Sequence, residues 1–324
     1  MKRHLFIESS NSIRQKIVKT AFQCGESTHL GGALSMVDIL SVLFGGVLKY
    51  DPINLSSSDR DIFILSKGHA SALMYCVLAR AGYFPEEKLQ EYRKIGSELF
   101  LSGHPHPKTP GVEIASGSLG QGLSVGHGIA LGARVDGLDY NVYVVLGDGE
   151  IQEGQIWEAA MSAAKFNSNN LIAIIDNNKV AQDNLTKVLK NIEPLEEKWL
   201  SFGWDVHRID GHSMKDIMTK LSLPLHSNKP RVIIADTIKG KGVSFMEGNK
   251  GWHGVAPNEE DLKKALKSSK WTIDSYRIAV DTYRNAQNKE QKREMEKLID
   301  DIKNDFRSEI SLNDPKVKRL KKIQ

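Results

Sequence analysis

The stretch from Gly147 to Phe166 carries more glycines and acidic residues than a turn between a strand and a helix needs. It reads GDGEIQEGQIWEAAMSAAKF and directly follows the apolar run 142–146. Glycines let the backbone approach a ligand closely, and amides at the start of a helix favour a bound anion such as phosphate. A carboxylate beside a phosphate repels it unless a divalent cation lies between them, and Mg²⁺ prefers oxygen ligands of this kind. Asp148 therefore predicts a metal ion as well as a phosphate group.

A second polar turn follows another apolar run thirty residues further along the chain. Residues 171–175 read LIAII, and DNNKV follows at 176–180. If both apolar runs are strands of a parallel sheet, their carboxyl ends share one edge, where ligands bind. The amide oxygen of Asn178 and a following main-chain carbonyl could then complete the protein's share of the metal ligands.

The elements that must position these turns are short β-branched runs that alternate with helix-length segments. This alternation predicts an α/β fold with a mainly parallel sheet and helices on both faces over residues 1–257. The predicted strands are 62–65, 142–146, 171–175 and 232–236, and the predicted helices are 36–48, 70–81, 119–134, 153–166 and 213–222.

Residues 258–324 are predicted to form a charged, mostly helical C-terminal extension. NEEDLKKALKSS at its start is typical of a capped helix, and residues 286–310 carry an apolar stripe at helical spacing. The stripe predicts packing on the chain's own core or, as the alternative, docking of a partner. The whole net charge of +4 lies in this extension, where both signs are interspersed. That pattern is typical of a solvated face, so we expect neither a nucleic-acid nor a membrane partner.

The composition indicates a cytoplasmic globular protein. No segment is apolar for long enough to cross a membrane, and the N-terminus turns polar too soon for a signal peptide. Cys24 and Cys76 lack CxxC spacing, so we expect buried apolar side chains and neither a disulfide nor a metal pair.

Taken together, GDG and NN at this spacing resemble the thiamine diphosphate fingerprint, and residues 147–179 are similar to the version found in transketolases. The resemblance implies that Mg²⁺, or Ca²⁺ or Mn²⁺ in its place, bridges the protein to the diphosphate of thiamine diphosphate. The implied metal ligands are Asp148, the side chain of Asn178 and the main-chain carbonyl of Val180.

Four histidine contexts, STHLGG, SKGHAS, SGHPHP and GWHG, are also similar to transketolase motifs and occur in the same order, so the resemblance covers about residues 10–260. It implies that His69 and His253 contact the diphosphate. It also implies that His29, His104 and again His253 bind sugar hydroxyls and move their protons, because an imidazole can donate or accept near neutral pH. Glu153 matches the glutamate that links the two cofactor sites of a dimer. The implied cofactor contacts are His69, Gly117, Leu119, Gly149, Asn178 and His253. The implied catalytic residues are His29, His104, His253 and Glu153.

In the family, the glutamate that activates the cofactor lies in a second domain, which binds the pyrimidine ring, and this sequence reaches Gln324 without one. We therefore expect one subunit of a split transketolase that transfers a two-carbon ketol unit between sugar phosphates. A separate C-terminal subunit with the pyrimidine domain would complete an α2β2 assembly. One alternative is another thiamine diphosphate enzyme subunit, similar to 1-deoxyxylulose-phosphate synthase or to the α chain of a 2-oxoacid dehydrogenase. The other is a non-catalytic member of the fold that binds a partner.

Overall fold

The computed structural model describes residues 2–226 and 228–268, and within them a parallel sheet lies between two layers of helices. Its neighbouring strands run in the order β1-β2-β3-β5-β4, and each neighbouring pair is parallel. The strands are β1 (Ile62–Leu65), β2 (Val142–Gly147), β3 (Leu171–Asn177), β4 (Asp205–Asp210) and β5 (Arg231–Asp236).

The four predicted strands are confirmed, and β4 is the strand that the sequence pattern missed. β2 and β3 are buried along their whole length because helices cover both of their faces, so they carry continuous apolar runs. β4 is an edge strand with the sequence DVHRID, and most of its residues are only half-buried. Its polar composition gave no apolar run to recognise.

The described helices include counterparts of all five that the sequence predicted. The predicted segment 36–48 is an α-helix followed by a π-helical turn at Leu43–Val47. The α-helices are α1 (Lys2–Cys24), α2 (Leu30–Leu34), α3 (Val37–Val42), α4 (Ser71–Arg80), α5 (Gln121–Val135), α6 (Gly154–Lys165), α7 (Thr186–Leu189), α8 (Leu195–Ser201), α9 (Met214–Leu221) and α10 (Glu259–Ser268).

The core consists of two apolar clusters, one on each face of the sheet. Alternate residues of a strand point to opposite faces, so Tyr143 and Ile172 pack with α1, α3, α4 and α9, whereas Val144 and Ala173 pack with α5, α6 and α8. The helices on both faces confirm the predicted architecture. Cys76 belongs to the first cluster, and Cys24 is half-buried against it; both are free thiols.

The described part of the extension is α10. Its first turn has a capping box, because the Asp261 amide donates to Asn258 Oδ1 (2.9 Å) and the Asn258 amide donates to Asp261 Oδ2 (3.1 Å). The apolar stripe predicted at 286–310 lies outside the described residues, and the domain boundary at residue 257 stays a prediction. Among the helices of the described part, none combines the length and the apolar character needed to cross a membrane.

Candidate cofactor and metal site

The carboxyl ends of four strands open into one cleft of about 300 Å³. β1 leads to Lys67 and His69, β2 to Asp148, β3 to Asn178 and β5 to Lys239, and all five residues line the cleft. The strand order explains this convergence, since β2 and β3 are neighbours and β5 pairs with the other edge of β3. Ligand sites of α/β sheets lie at this edge.

The cleft brings together every predicted site residue except Glu153. Residues from seven separate stretches of the chain meet there. The predicted residues that line it are His29, His69, His104, Gly117, Leu119, Asp148, Gly149, Asn178, Val180 and His253.

Asp148 and the turn after β3 form one connected unit. Asp148 Oδ2 accepts a hydrogen bond from the Lys179 amide (2.5 Å), and Oδ1 accepts one from the Gly149 amide (2.8 Å). Asn178 Oδ1 accepts from the Val180 amide (3.1 Å). Burial, together with the nearby carboxylate of Asp176, raises the pKa of Asp148 to about 6. A cation beside Asp148 would remove this penalty.

Beneath this unit lies a buried ion pair between Lys67 and Asp176. Their side chains are 1% and 0% exposed, and Lys67 Nζ lies 2.5 Å from Asp176 Oδ2. Lys67 also donates to the Gly32 carbonyl (2.9 Å). Burial alone would raise the pKa of Asp176, but the Lys67 ammonium and the hydroxyls that donate to Asp176 outweigh it and hold this pKa below its ordinary value.

Lys239 brings a second cation into the cleft. Its Nζ lies 3.0 Å from the Val180 carbonyl, 3.1 Å from the Ala181 carbonyl and 2.7 Å from His253 Nδ1. Burial, aided by the charge of Lys67, lowers the pKa of Lys239 to about 8, so the ammonium form predominates at neutral pH. An ammonium can only donate, which makes His253 Nδ1 the acceptor and leaves the proton of the neutral ring on Nε2.

Three imidazoles cluster beside Lys239, which contacts one of them, His253. The ring centroid of His29 lies 5.3 Å from that of His69 and 5.1 Å from that of His253. Burial is the largest factor that lowers the pKa of each ring, and it brings the pKa of His253 to about 4. The three rings are therefore neutral at physiological pH, and each can donate one hydrogen bond and accept another.

Glycines allow the loops around the cleft to touch. Gly117 has φ +143°, and a Cβ there would lie 2.8 Å from His104 Cδ2. A Cβ on Gly68 would lie 2.7 Å from the Gly117 amide nitrogen. Gly68 therefore lets the His69 loop pack against the backbone before Leu119, and Gly117 leaves room for the His104 ring.

The three acids of the GDGEIQE stretch have three different places. Asp148 lines the cleft, whereas Glu150 is buried at its wall and accepts from the Gly120 amide (3.0 Å), the Gly147 amide (2.9 Å) and the Ser66 hydroxyl. Glu153 is exposed outside the cleft, where it precedes α6 and lies against Gly120. The structure thus places Glu153 on a surface, beside the loop that leads to Leu119.

Four charged residues at the cleft were absent from the prediction: Lys67, Glu150, Asp176 and Lys239. Three of them lie in the motifs SKGHAS, GDGE and DNN, whose other residues include predicted cofactor or metal contacts. Lys239 follows β5 in the turn IKGKG, and its position after a predicted strand end was the signal that could have found it.

The donor set fits a divalent cation and a diphosphate. The buried carboxylate of Asp148, the amide oxygen of Asn178 and a main-chain carbonyl are hard oxygen ligands, as Mg²⁺ requires. Lys239 and the imidazole of His69 supply donors for phosphate oxygens, and the cleft has the volume of a typical cofactor site.

Comparisons with known proteins point the same way. The matching family profile is described as transketolase, thiamine diphosphate binding domain, and it spans residues 8–320. One subunit of the apulose-4-phosphate transketolase from Actinobacillus succinogenes is 42% identical, and the match covers 81% of this chain and 95% of that protein. A 6-deoxy-6-sulfo-D-fructose transketolase subunit from a Clostridium species is 40% identical over 79% of this chain and 93% of its own length.

Longer proteins are matched over less than half of their length. The crystal structure of transketolase from Campylobacter jejuni superposes with a TM-score of 0.74 at 33% identity, covering 82% of this chain and 42% of that chain. Rat transketolase is 36% identical over 76% of this chain and 39% of its own length.

Proposed function

The chain belongs to the transketolase family through its thiamine diphosphate binding domain, and on that premise we propose that it is the cofactor-binding subunit of a transketolase assembled from two kinds of chain. The observation that carries this proposal is the convergence of Asp148, Asn178 and Lys239 on one cleft at adjoining strand ends. The transketolase subunits reported above match this chain over nearly their whole length, which supports a two-chain enzyme.

We propose that Asp148, Asn178 Oδ1 and the Val180 carbonyl hold Mg²⁺, with Ca²⁺ or Mn²⁺ able to replace it. His69, His253, Gly149 and Lys239 would face the diphosphate, whose negative charge matches the ammonium of Lys239. Gly117 and Leu119 would meet the cofactor's rings.

When bound, thiamine diphosphate supplies the carbanion chemistry that moves a two-carbon ketol unit. The protein's part is to hold sugar hydroxyls and control their protons. His29 and His253 are suited to this because their rings are neutral at physiological pH. Lys239 keeps the proton of His253 on Nε2, so that this ring donates through Nε2. His104 is exposed at the mouth of the cleft, where a sugar would enter.

We propose that a separate chain supplies the pyrimidine-binding domain and that the enzyme is an α2β2 heterotetramer. Glu153 would face the second copy of this chain, in keeping with its exposed position. The substrates would be ketoses and aldoses with an anionic group, because the similar subunits are named for a sugar phosphate and for a sulfonated sugar.

The test is calorimetric titration of thiamine diphosphate with Mg²⁺ into the chain, alone and together with a candidate partner subunit. We expect binding that depends on Mg²⁺ and is lost in Asp148→Ala. Asp183→Ala is the matched control, because Asp183 is an exposed carboxylate in the loop after β3 and does not line the cleft.

Ketol transfer from a ketose phosphate should appear only when both chains are present, and native mass spectrometry should give two copies of each. Absence of thiamine diphosphate binding with every partner would refute the proposal. Full activity of this chain alone would refute the two-chain assembly.

A further inference from the structure

The side-chain amide of Asn178 is held from beneath by the carboxylate of Asp176. Asn178 Nδ2 donates to Asp176 Oδ2 (2.9 Å), while Asn178 Oδ1 accepts from the Val180 amide (3.1 Å). A carboxylate can only accept, so the reversed amide would set oxygen against oxygen at Asp176 and nitrogen against nitrogen at Val180. Asn178 therefore has one permitted orientation, in which Oδ1 keeps a second lone pair for the cleft.

Asp176 is itself fixed by donors from three other segments. Ser35 Oγ donates to its Oδ2 (2.7 Å), Lys67 Nζ lies 2.5 Å from the same oxygen, and the Thr237 hydroxyl donates to Oδ1. These donors follow α2, β1 and β5, so Asp176 ties together the segments that form the floor of the cleft. The carboxylate is fully buried and contacts no solvent.

We propose that Asp176, with Lys67, Ser35 and Thr237, is a clamp that fixes the amide of Asn178 in its metal-binding orientation. Asp176 is then a positioning residue, which touches neither the metal nor the diphosphate and orients the ligand Asn178. The inference rests on the proposed function, since it assigns Asn178 Oδ1 to the metal. Loss of partners that orient metal ligands typically weakens metal binding roughly 10–100-fold.

Two double variants separate orientation from charge and stability. Lys67→Met/Asp176→Leu removes the ion pair and leaves residue 176 without an acceptor. Lys67→Met/Asp176→Asn removes the same charges but keeps an amide oxygen toward Asn178, with its nitrogen toward the Thr237 hydroxyl, which can accept. Neither variant leaves an unpaired buried charge, and well-packed apolar replacements of ion pairs are often tolerated.

The first measurement is titration of thiamine diphosphate and Mg²⁺, with the partner subunit if wild type requires it. We expect the Leu variant to bind roughly 10–100-fold more weakly than the Asn variant, which lacks the same two charges but still accepts from Asn178. In an Asn178→Ala background, the change to Leu should cost little more, because the residue that the clamp orients is gone. Equal losses in the two double variants, or full additivity with Asn178→Ala, would overturn the proposal.

The second measurement needs neither cofactor nor metal, so it separates this proposal from the proposed function. In chain labelled with ¹⁵N at asparagine, the Asn178 side-chain amide, assigned with Asn178→Ala, should exchange slowly with solvent in wild type and in the Asn variant. It should exchange quickly in the Leu variant. The same exchange rate in all three proteins would refute the clamp even if wild type binds thiamine diphosphate. Asp236→Asn is the control, because Asp236 accepts from Asn177 at the neighbouring strand end and does not contact Asn178.

Discussion

Replacement of Lys67 by methionine is expected to destabilise the cofactor-free protein strongly. The change keeps most of the side-chain volume and removes a cation that is 1% exposed and lies 2.5 Å from a carboxylate that is 0% exposed. Removal of one partner of a buried ion pair costs about 3–5 kcal/mol, because the remaining charge is left buried and unpaired. Asp176 keeps three other donors, from Ser35, Asn178 and Thr237, so we expect about 3 kcal/mol.

The assay is thermal unfolding by calorimetry without cofactor or Mg²⁺. A loss of about 3 kcal/mol in a domain of this size lowers Tm by about 6–12 °C. The wild-type pKa of Asp176 is depressed, so the stability that its ionised form contributes is present above the unfolded pKa and is lost as the pH falls. The difference between variant and wild type should therefore be largest near pH 7 and shrink toward about pH 4.

Two comparisons make the result decisive. Lys67→Met/Asp176→Asn should be at least about 1 kcal/mol more stable than Lys67→Met, since it leaves no unpaired charge at this position. Lys187→Met, a change at an exposed lysine, should stay within about 0.5 kcal/mol of wild type. A Tm for Lys67→Met within about 2 °C of wild type, or a double variant less stable than the single one, would refute the reasoning.

Three further predictions concern the walls of the cleft, the packing of α5 and the pH dependence of the metal site. Glu150→Gln should lower the free energy of unfolding in urea by about 1–3 kcal/mol, because its one amide oxygen cannot accept from both the Gly120 and the Gly147 amides. Glu158→Gln, at an exposed residue, is the control. Equal effects of the two substitutions would contradict the prediction. Gly126→Ala should lower the free energy of unfolding by about 1–3 kcal/mol, since its Cβ would lie 2.5 Å from Val144 Cγ2. Gly132→Ala in the same helix meets open space and should raise the free energy of unfolding by about 0.5–1 kcal/mol. Chemical denaturation that ranks the two variants in the opposite order would contradict this prediction. The folded pKa of Asp148 is raised to about 6, so the stability that its neutral form contributes is present below the unfolded pKa and lost as the pH rises through about 6. Mg²⁺ needs the ionised form, so it should raise Tm at about pH 7.5 and barely at about pH 5, and Asp148→Asn should abolish the difference; an equal rise at both pH values would argue against Asp148 as a ligand.

The layered α/β fold and most of the cleft follow from the amino-acid sequence alone. Continuous apolar runs mark strands that are covered on both faces, and the residues directly after such strands must lie at the carboxyl edge of a parallel sheet. The proximity of Asp148 and Asn178 therefore follows from the sequence pattern. The resemblance to the family added the histidines, which have no such local signal, and ten of the eleven predicted residues line the cleft. Glu153 lies outside it, on the exposed side of the Gly120 loop.

The charges that meet beneath the cleft and the order of the strands depend on contacts between distant segments of the chain. β4 has no apolar run because an edge strand needs less cover, and β5 pairs with β3 although β4 precedes β5 in the chain. That order brings Thr237 and Lys239 to the turn that carries Asp176 and Asn178. Lys67 and Asp176 are more than a hundred residues apart, and each alone is an ordinary polar residue at or just after the end of a strand. Their pairing depends on contacts across the sheet. A buried charge is tolerated only where another segment neutralises it, and local sequence patterns do not identify that partner.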